Sequence, residues 1–165
     1  MVEFATCAGH IAYFLYNLGL NNLPAIDIAG KAVKLAYKKY PYIYFKTEDM
    51  LDSGLEDDPV DRILCFYSIV HFTYKEIDAA IKEWKRILKK ECRALFSFNV
   101  VDDESLRVVS FLGNDSAKAA RNSFSPDKII KILKNNGIAY EEAIVRYPYP
   151  GKEHPIKRSY IIFYK

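Results

Sequence analysis

Cysteine is scarce in this sequence: the 165 residues contain only Cys7, Cys65 and Cys92. An odd number of cysteines without a paired short spacing argues against a disulfide framework and against a zinc site. Long apolar runs are also missing, and none approaches the roughly 20 residues that a membrane helix needs. The N-terminus lacks the basic segment and apolar stretch of a secretory signal. We therefore predict a reduced, cytoplasmic protein without a metal site.

An excess of charge of one sign is absent as well, because 24 Lys and Arg residues are balanced by 21 Asp and Glu residues. So small a difference gives no strong field toward nucleic acid or an anionic membrane. The segments KAVKLAYKK and KEWKRILKK have helical spacing, which favours solvated helix faces. A groove for RNA is the alternative, and it predicts a steep salt dependence of binding. We expect neither nucleic acid nor a membrane as partner.

Short apolar runs alternate with longer segments of helical period along most of the chain. VEFA precedes HIAYFLYNLGL, LPAIDI precedes GKAVKLAYKKY, and VDRILCFYSIV precedes KEIDAAIKEWKRILKK, with YIYF and CRALFSFNV as further strands. Parallel strands need helical crossovers, and these bury the sheet on both faces. The pattern predicts a single α/β domain over residues 1–165, with a mainly parallel sheet between two helical layers.

The last part of the chain breaks this alternation. A helix is predicted from Ser125, with Pro126 at its first position, to a stop at Gly137. Two strand-like runs follow, joined by a proline and glycine connection that returns the second run antiparallel. Residues 102–124 are less regular and lie where ligands bind to an open sheet, so they are interpreted either as a lid or as a plain surface crossover.

The segment EFATCAG, Glu3 to Gly9, forms a tight turn between the first predicted strand and the first predicted helix, and it contains a single glycine, Gly9. Asp27 closes the second predicted strand, at close to the roughly 20 residues expected of a nucleotide-type site. A carboxylate there is suited to accept hydrogen bonds from both hydroxyls of a ribose, although a helix cap is the alternative interpretation.

Together, these elements resemble the class I S-adenosylmethionine-dependent methyltransferases over nearly the whole chain. The family has a three-layer Rossmann-like fold, with a mainly parallel seven-stranded sheet and an antiparallel strand near the C-terminus. Its first motif reads D/E-x-G-x-G-x-G, and in the same register this chain has Glu3 first, Ala5 and Cys7 at two of the glycine positions, and Gly9 as the one remaining glycine. The resemblance implies that Glu3, Ala5, Cys7 and Gly9 adjoin the cofactor, S-adenosylmethionine, and that Asp27 holds its ribose.

Two further segments carry the resemblance. In KTEDML, it implies that Asp49 receives the adenine amino group and that Met50 meets the ring. Ile28, which follows Asp27, is expected to contribute to the same site. In VDRILCFYSIVHF, it implies that Tyr67 and His71 lie on the acceptor side as candidate catalytic residues. A neutral imidazole there would accept a proton, although a histidine hydrogen-bonded at a strand end is the alternative interpretation.

The activity implied by the resemblance is methyl transfer to a small molecule, and a catalytically weak or inactive binding or regulatory protein is the alternative. Two departures keep that alternative open. The Cys7 side chain would project toward the family's close-contact position. The chain also begins next to its first strand, without the family's N-terminal cover, which a homo-oligomer or a partner chain would have to supply.

Several polar residues outside these motifs are further candidates. His10 opens the first helix. It is interpreted as a packing and capping neighbour of the turn, and a role as a base is the alternative. The remaining candidates either line a substrate pocket or lie on the surface of an edge hairpin; they are Tyr147, Tyr149, His154 and Arg158.

Overall fold

A computed structural model describes residues 1–57, 59–100, 107–111 and 114–165. The helices in these residues are α1 (His10–Asn17), α2 (Gly30–Lys39), α3 (Tyr74–Ile87) and α4 (Pro126–Asn135). The strands are β1 (Val2–Phe4), β2 (Ala25–Asp27), β3 (Phe45–Thr47), β4 (Val60–Phe66), β5 (Leu88–Val100), β6 (Arg107–Phe111), β7 (Asn114–Arg121), β8 (Ala139–Arg146) and β9 (Lys157–Tyr164). A short 3-10 helix, Ile69–His71, lies between β4 and α3.

Seven strands form one sheet in the order β3-β2-β1-β4-β5-β9-β8. The pairs from β3 through to β5 are parallel, whereas β9 runs antiparallel to both β5 and β8. The predicted three-layer α/β fold, with an antiparallel strand near the C-terminus, is confirmed. The chain changes its direction of travel across the sheet between β1 and β4. In open α/β sheets, ligands bind beyond the carboxyl ends of the strands at such a point.

Two apolar clusters cover the two faces of the sheet. Ala25 and Ile26 are neighbours on β2 but belong to different clusters, as the alternation of side chains along a strand requires. The larger cluster contains Trp84 of α3, which is 1% exposed. Its ring packs at centroid distances of 5.5 Å from Phe96 and 6.4 Å from Phe4. This packing ties α3 to the centre of the sheet through β1 and β5.

The ends of α3 show how local sequence sets the boundaries. A capping box starts the helix, since Glu76 N–H donates to Thr73 Oγ1 at 3.3 Å and Thr73 N–H donates to Glu76 Oε2 at 2.6 Å. The helix ends at Ile87, before the end of the segment KEIDAAIKEWKRILKK that predicted it. Leu88 is fully buried and already pairs with Val60 in the sheet, so the strand replaces the last helical turn.

The third strand also differs from its predicted position. It begins at Phe45 and not with YIYF, because Tyr42 and Tyr44 are 53% and 61% exposed and lie before the pairing with β2 starts. No helix in the described part of the chain is long and apolar enough to cross a membrane.

The segment interpreted as a lid or a crossover contains β6 and β7, which pair antiparallel as a separate two-stranded sheet. Its residues 102–106 and 112–113 lie outside the described residues, so the lid stays a prediction. The chain beyond β7 is tied to the main body, because Asn122 N–H donates to Val70 O in the 3-10 helix at 2.6 Å.

Candidate active site

The turn between β1 and α1 contains three residues in the left-handed region. Ala5, Cys7 and Gly9 have φ angles of 59°, 50° and 79°, and they occupy the three glycine positions of the motif. Hydrogen bonds hold this turn, from Thr6 N–H to Ile26 O at 3.1 Å and from Gly9 N–H to Thr6 O at 2.8 Å. A residue with a Cβ costs about 1–2 kcal/mol in this region. The surrounding contacts therefore impose the conformation on Ala5 and Cys7.

Gly9 differs from the other two positions because a side chain there has no room. A Cβ on Gly9 would lie 2.8 Å from Phe45 Cζ and 3.2 Å from Ala36 Cβ. Cys7, in contrast, is exposed. A side chain is thus tolerated at the second glycine position and excluded at the third, which gives a physical reason for the surviving glycine.

Asp27 lies at the end of β2, and its carboxylate fastens the turn. Oδ2 accepts a hydrogen bond from Cys7 N–H and Oδ1 accepts one from Ala29 N–H, both at 2.8 Å. Each carboxylate oxygen has a second lone pair. Asp27 can therefore hold the backbone of the turn and still accept hydrogen bonds from a ligand.

A crevice opens beyond the carboxyl ends of β1, β2 and β3. Five of the predicted cofactor residues line it: Ala5, Asp27, Ile28, Asp49 and Met50. Its other lining residues are Phe4, Ile26, Glu48 and Phe72. Of the remaining predicted cofactor residues, Glu3 lies in β1 while Cys7 and Gly9 lie in the turn, and none of the three lines the crevice. Its walls combine carboxylates, which accept from hydroxyl and amino groups, with apolar surfaces suited to a flat ring.

Two of the lining residues, Glu48 and Phe72, lie in the segments KTEDML and VDRILCFYSIVHF but were not among the predicted site residues. Glu48 precedes Asp49, donates its N–H to Asp27 O at 3.2 Å, and pairs with Lys46 at 3.0 Å. Phe72 follows the 3-10 helix and brings an aromatic side chain to the crevice. Only the position of Phe72 close after the fourth strand could have indicated it.

Glu3 is buried beneath the turn, with 2% of its surface exposed. Its Oε2 accepts a hydrogen bond from Thr6 Oγ1 at 2.9 Å. Burial raises the pKa of Glu3 to about 7, the Asp27 carboxylate adds to the rise, and the Thr6 hydroxyl opposes it. Glu3 therefore changes its charge near neutral pH, next to the residue that fastens the turn.

Tyr67 follows β4 directly and adopts a left-handed backbone with φ 56°. Its N–H donates to Ser97 Oγ at 3.1 Å, and its phenol shares a hydrogen bond of 2.7 Å with the phenol of Tyr160. Burial, and then this hydrogen bond, raise the pKa of Tyr67. The phenol is therefore protonated at neutral pH, and it lines a second cavity.

The other predicted acceptor-side residues divide into two groups. His154 and Arg158 line the second cavity together with Tyr67. His71 is exposed on the 3-10 helix and lines neither cavity. Tyr147 and Tyr149 are likewise outside both linings and are 74% and 61% exposed. His10 is exposed at the start of α1.

Comparisons with known proteins agree with this geometry. The family described as a methyltransferase domain matches residues 1–91. A S-adenosylmethionine-dependent methyltransferase from Methanosarcina mazei has a TM-score of 0.88 at 16% identity, covering 99% of this chain and 91% of that chain. One from Mesorhizobium loti has a TM-score of 0.79 at 12% identity, covering 99% and 89%. The glycopeptide N-methyltransferase MtfA, solved with S-adenosyl-L-methionine, has a TM-score of 0.78 at 12% identity, covering 99% and 85%. No curated protein matches.

The family match spans more than half of the chain, and it includes the turn, Asp27 and both segments at the crevice. The chain therefore belongs to the methyltransferase-domain family, as a class I S-adenosylmethionine-dependent methyltransferase by fold and family. S-adenosylmethionine, the cofactor expected from the sequence, is confirmed as the cofactor of this family. The crevice fits that group chemically, because it sets carboxylate acceptors beside apolar side chains, as a nucleoside requires.

Proposed function

We propose that this chain binds S-adenosylmethionine in the crevice and transfers its methyl group to a small-molecule acceptor in the second cavity. The observation that carries the proposal is the turn after β1. It keeps left-handed residues at all three motif positions although two of them are not glycine, and Asp27 fastens it through Cys7 N–H. A conformation that costs energy at Ala5 and Cys7 is expected where function requires it.

The crevice residues take distinct roles in this proposal. The free lone pairs of the Asp27 carboxylate accept hydrogen bonds from the two ribose hydroxyls. Asp49 accepts the adenine amino group, its Oδ1 being already bonded to Leu51 N–H at 2.9 Å. Ile28, Met50 and Phe72 supply the apolar surface against the ring. When bound, S-adenosylmethionine supplies a methyl group activated on a positively charged sulfonium.

On the acceptor side, Tyr67 has a positioning role in the proposal. Burial raises the pKa of its phenol, which is therefore protonated at neutral pH and does not act as a base. Its backbone N–H is held by Ser97, being shared between Ser97 Oγ at 3.1 Å and Ser97 O at 3.2 Å. Methyl transfer is an in-line displacement, whose rate depends on the alignment of donor and acceptor and on the exclusion of water.

A second candidate function is binding of the cofactor without methyl transfer. Cys7 favours it, because a side chain at this motif position, with φ 50°, is a strained departure from the family's glycine. Cys7→Gly tests whether the strain at this position limits cofactor binding. If strain at the turn limits binding, this variant binds S-adenosylhomocysteine more tightly than the wild type; if Cys7 is neutral, the affinity does not change.

The proposal is tested by calorimetry with S-adenosylhomocysteine. We expect binding by the wild type and at least about a ten-fold loss in Asp27→Asn, because one carboxylate oxygen is replaced by an amide donor. Asp127→Asn removes the same charge from the exposed start of α4 and serves as the matched control. No heat at millimolar ligand, or equal affinity in Asp27→Asn and the control, would contradict the proposal.

A further inference from the structure

The second cavity and the crevice are lined by neighbouring residues of the segment that follows β4. Val70 of the 3-10 helix faces the cavity, while Phe72, two residues further on, faces the crevice. The cavity has a volume of about 160 Å³ and is lined by Tyr67, Val70, Asn99, His154, Ile156 and Arg158. The lining of this cavity therefore has an apolar side and a polar side, and the cavity volume suits a single ring with one polar substituent.

Arg158 is the charged group of this cavity, and it is only 9% exposed. Its hydrogen bonds to the described residues all start from Nη1 and are long. They reach Ile156 O at 3.2 Å, Glu153 Oε2 at 3.3 Å and His154 O at 3.4 Å. Nε and Nη2 have no partner among the described residues, so part of the guanidinium retains its capacity to donate.

Glu153 neutralises Arg158 only in part, because it also pairs with Arg146. Arg146 donates to both oxygens of Glu153, at 2.7 Å and 2.8 Å, and Tyr149 N–H donates at 2.8 Å. The hydrogen bonds from Arg146 lower the pKa of Glu153 to about 2, so this carboxylate carries one full negative charge. Two guanidinium groups therefore share a single carboxylate in this part of the described structure.

The two tyrosines near Arg158, Tyr67 and Tyr160, cannot supply the missing negative charge. Tyr67 and Tyr160 share one hydrogen bond, Arg146 Nη2 donates to the Tyr160 hydroxyl at 3.0 Å, and the Arg158 guanidinium lies 5.7 Å from the Tyr67 ring centroid. Burial raises the pKa of Tyr67, so the phenol stays neutral. Among the described residues, Arg158 is therefore a buried cation without a full counter-charge, which is costly, and an anion in the cavity would relieve that cost.

We infer that the second cavity binds the carboxylate of a small organic acid, with Arg158 as the charged partner, Asn99 as a further polar contact, and Val70 and Ile156 against the apolar part. Insofar as this acid is the methyl acceptor, the inference rests on the proposed function and names its substrate class. The anion site itself stands on the cavity and its charges alone.

The test compares benzoate with benzamide, which has the same ring and no charge. Each is titrated into ¹⁵N-labelled protein without cofactor, and amide shifts report both affinity and location. We expect benzoate to bind at least about ten-fold more tightly than benzamide and to move the amide signals of Val70 and Ile156. Arg158→Met should remove this preference. Arg62→Met, at the exposed amino end of β4, loses the same charge and should keep it.

Equal affinities for the two ligands in the wild type would overturn the inference, as would shifts confined to other parts of the chain. This comparison needs no variant, so it decides the question even if Arg158→Met does not fold. Binding of S-adenosylhomocysteine is measured separately. If that ligand binds and benzoate does not, only this inference fails. If benzoate binds and S-adenosylhomocysteine does not, the proposed function fails and the anion site remains.

Discussion

Replacing Glu3 by glutamine should change how the stability of the protein depends on pH. The Glu3 carboxyl is 2% exposed, and its pKa is raised from 4.5 to about 7 in the folded chain. The folded state therefore binds the proton more tightly than the unfolded state. This tighter binding of the proton stabilises the folded state. The stabilisation is complete below pH 4.5 and is lost as the pH rises through 7. At about 1.4 kcal/mol per pH unit, this difference corresponds to a loss of about 3 kcal/mol.

Glu3→Gln removes the titrating group while keeping a side chain of the same shape. The amide oxygen can still accept the hydrogen bond from Thr6 Oγ1 that the carboxylate accepts at 2.9 Å. We expect the free energy of unfolding of this variant to be close to that of the wild type near pH 5. At about pH 8 it should exceed the wild-type value by up to about 3 kcal/mol, since an ionised carboxylate is no longer buried.

Urea unfolding at several pH values between about 5 and 8 measures this difference directly. Glu142→Gln is the matched control, because Glu142 lies on the exposed strand β8 and should leave the pH dependence unchanged. If wild type and Glu3→Gln lose stability in parallel between these pH values, Glu3 is not the group that titrates, and the account of its buried environment is wrong.

Three further predictions concern the frame of the site. Gly9→Ala should lower the free energy of unfolding by about 2 kcal/mol or more in urea, because φ is 79° and the new Cβ would lie 2.8 Å from Phe45 Cζ; an unchanged midpoint would contradict this. Trp84→Ala should lower the free energy of unfolding by about 3–5 kcal/mol, since Trp84 is 1% exposed. If this loss is smaller than the loss caused by replacing an exposed aromatic residue with alanine, Trp84 has no role in the core. Thr73→Ala should cost about 1 kcal/mol in thermal unfolding by removing the capping box with Glu76, with Thr47→Ala outside any cap as the comparison.

The order of elements was predictable because hydrophobic period and helix signals agree along most of this chain. The boundaries were less so. Nothing local in the segment around Leu88 shows that its burial against the sheet outweighs its helical spacing, and the exposed Tyr42 and Tyr44 look like strand residues by composition. Long-range packing decides such ends, so a single sequence gives them only approximately.

The candidate site was predictable where chemistry follows a strand end. Asp27, Asp49 and Met50 line one crevice because the parallel strands before them end at the same edge of the sheet. The sharing of Glu153 by Arg146 and Arg158 was not predictable. Their contacts depend on how β8 and β9 pair and on the turn between them, and neither follows from spacing in the sequence.

Soaking crystals of this protein with S-adenosylhomocysteine tests the central claim most directly. The account predicts electron density for adenosine in the crevice, with both ribose hydroxyls within hydrogen-bond distance of Asp27 and the adenine between Ile28 and Phe72. Density for the ligand elsewhere, or a crevice without ligand density at concentrations that saturate binding in solution, would contradict it.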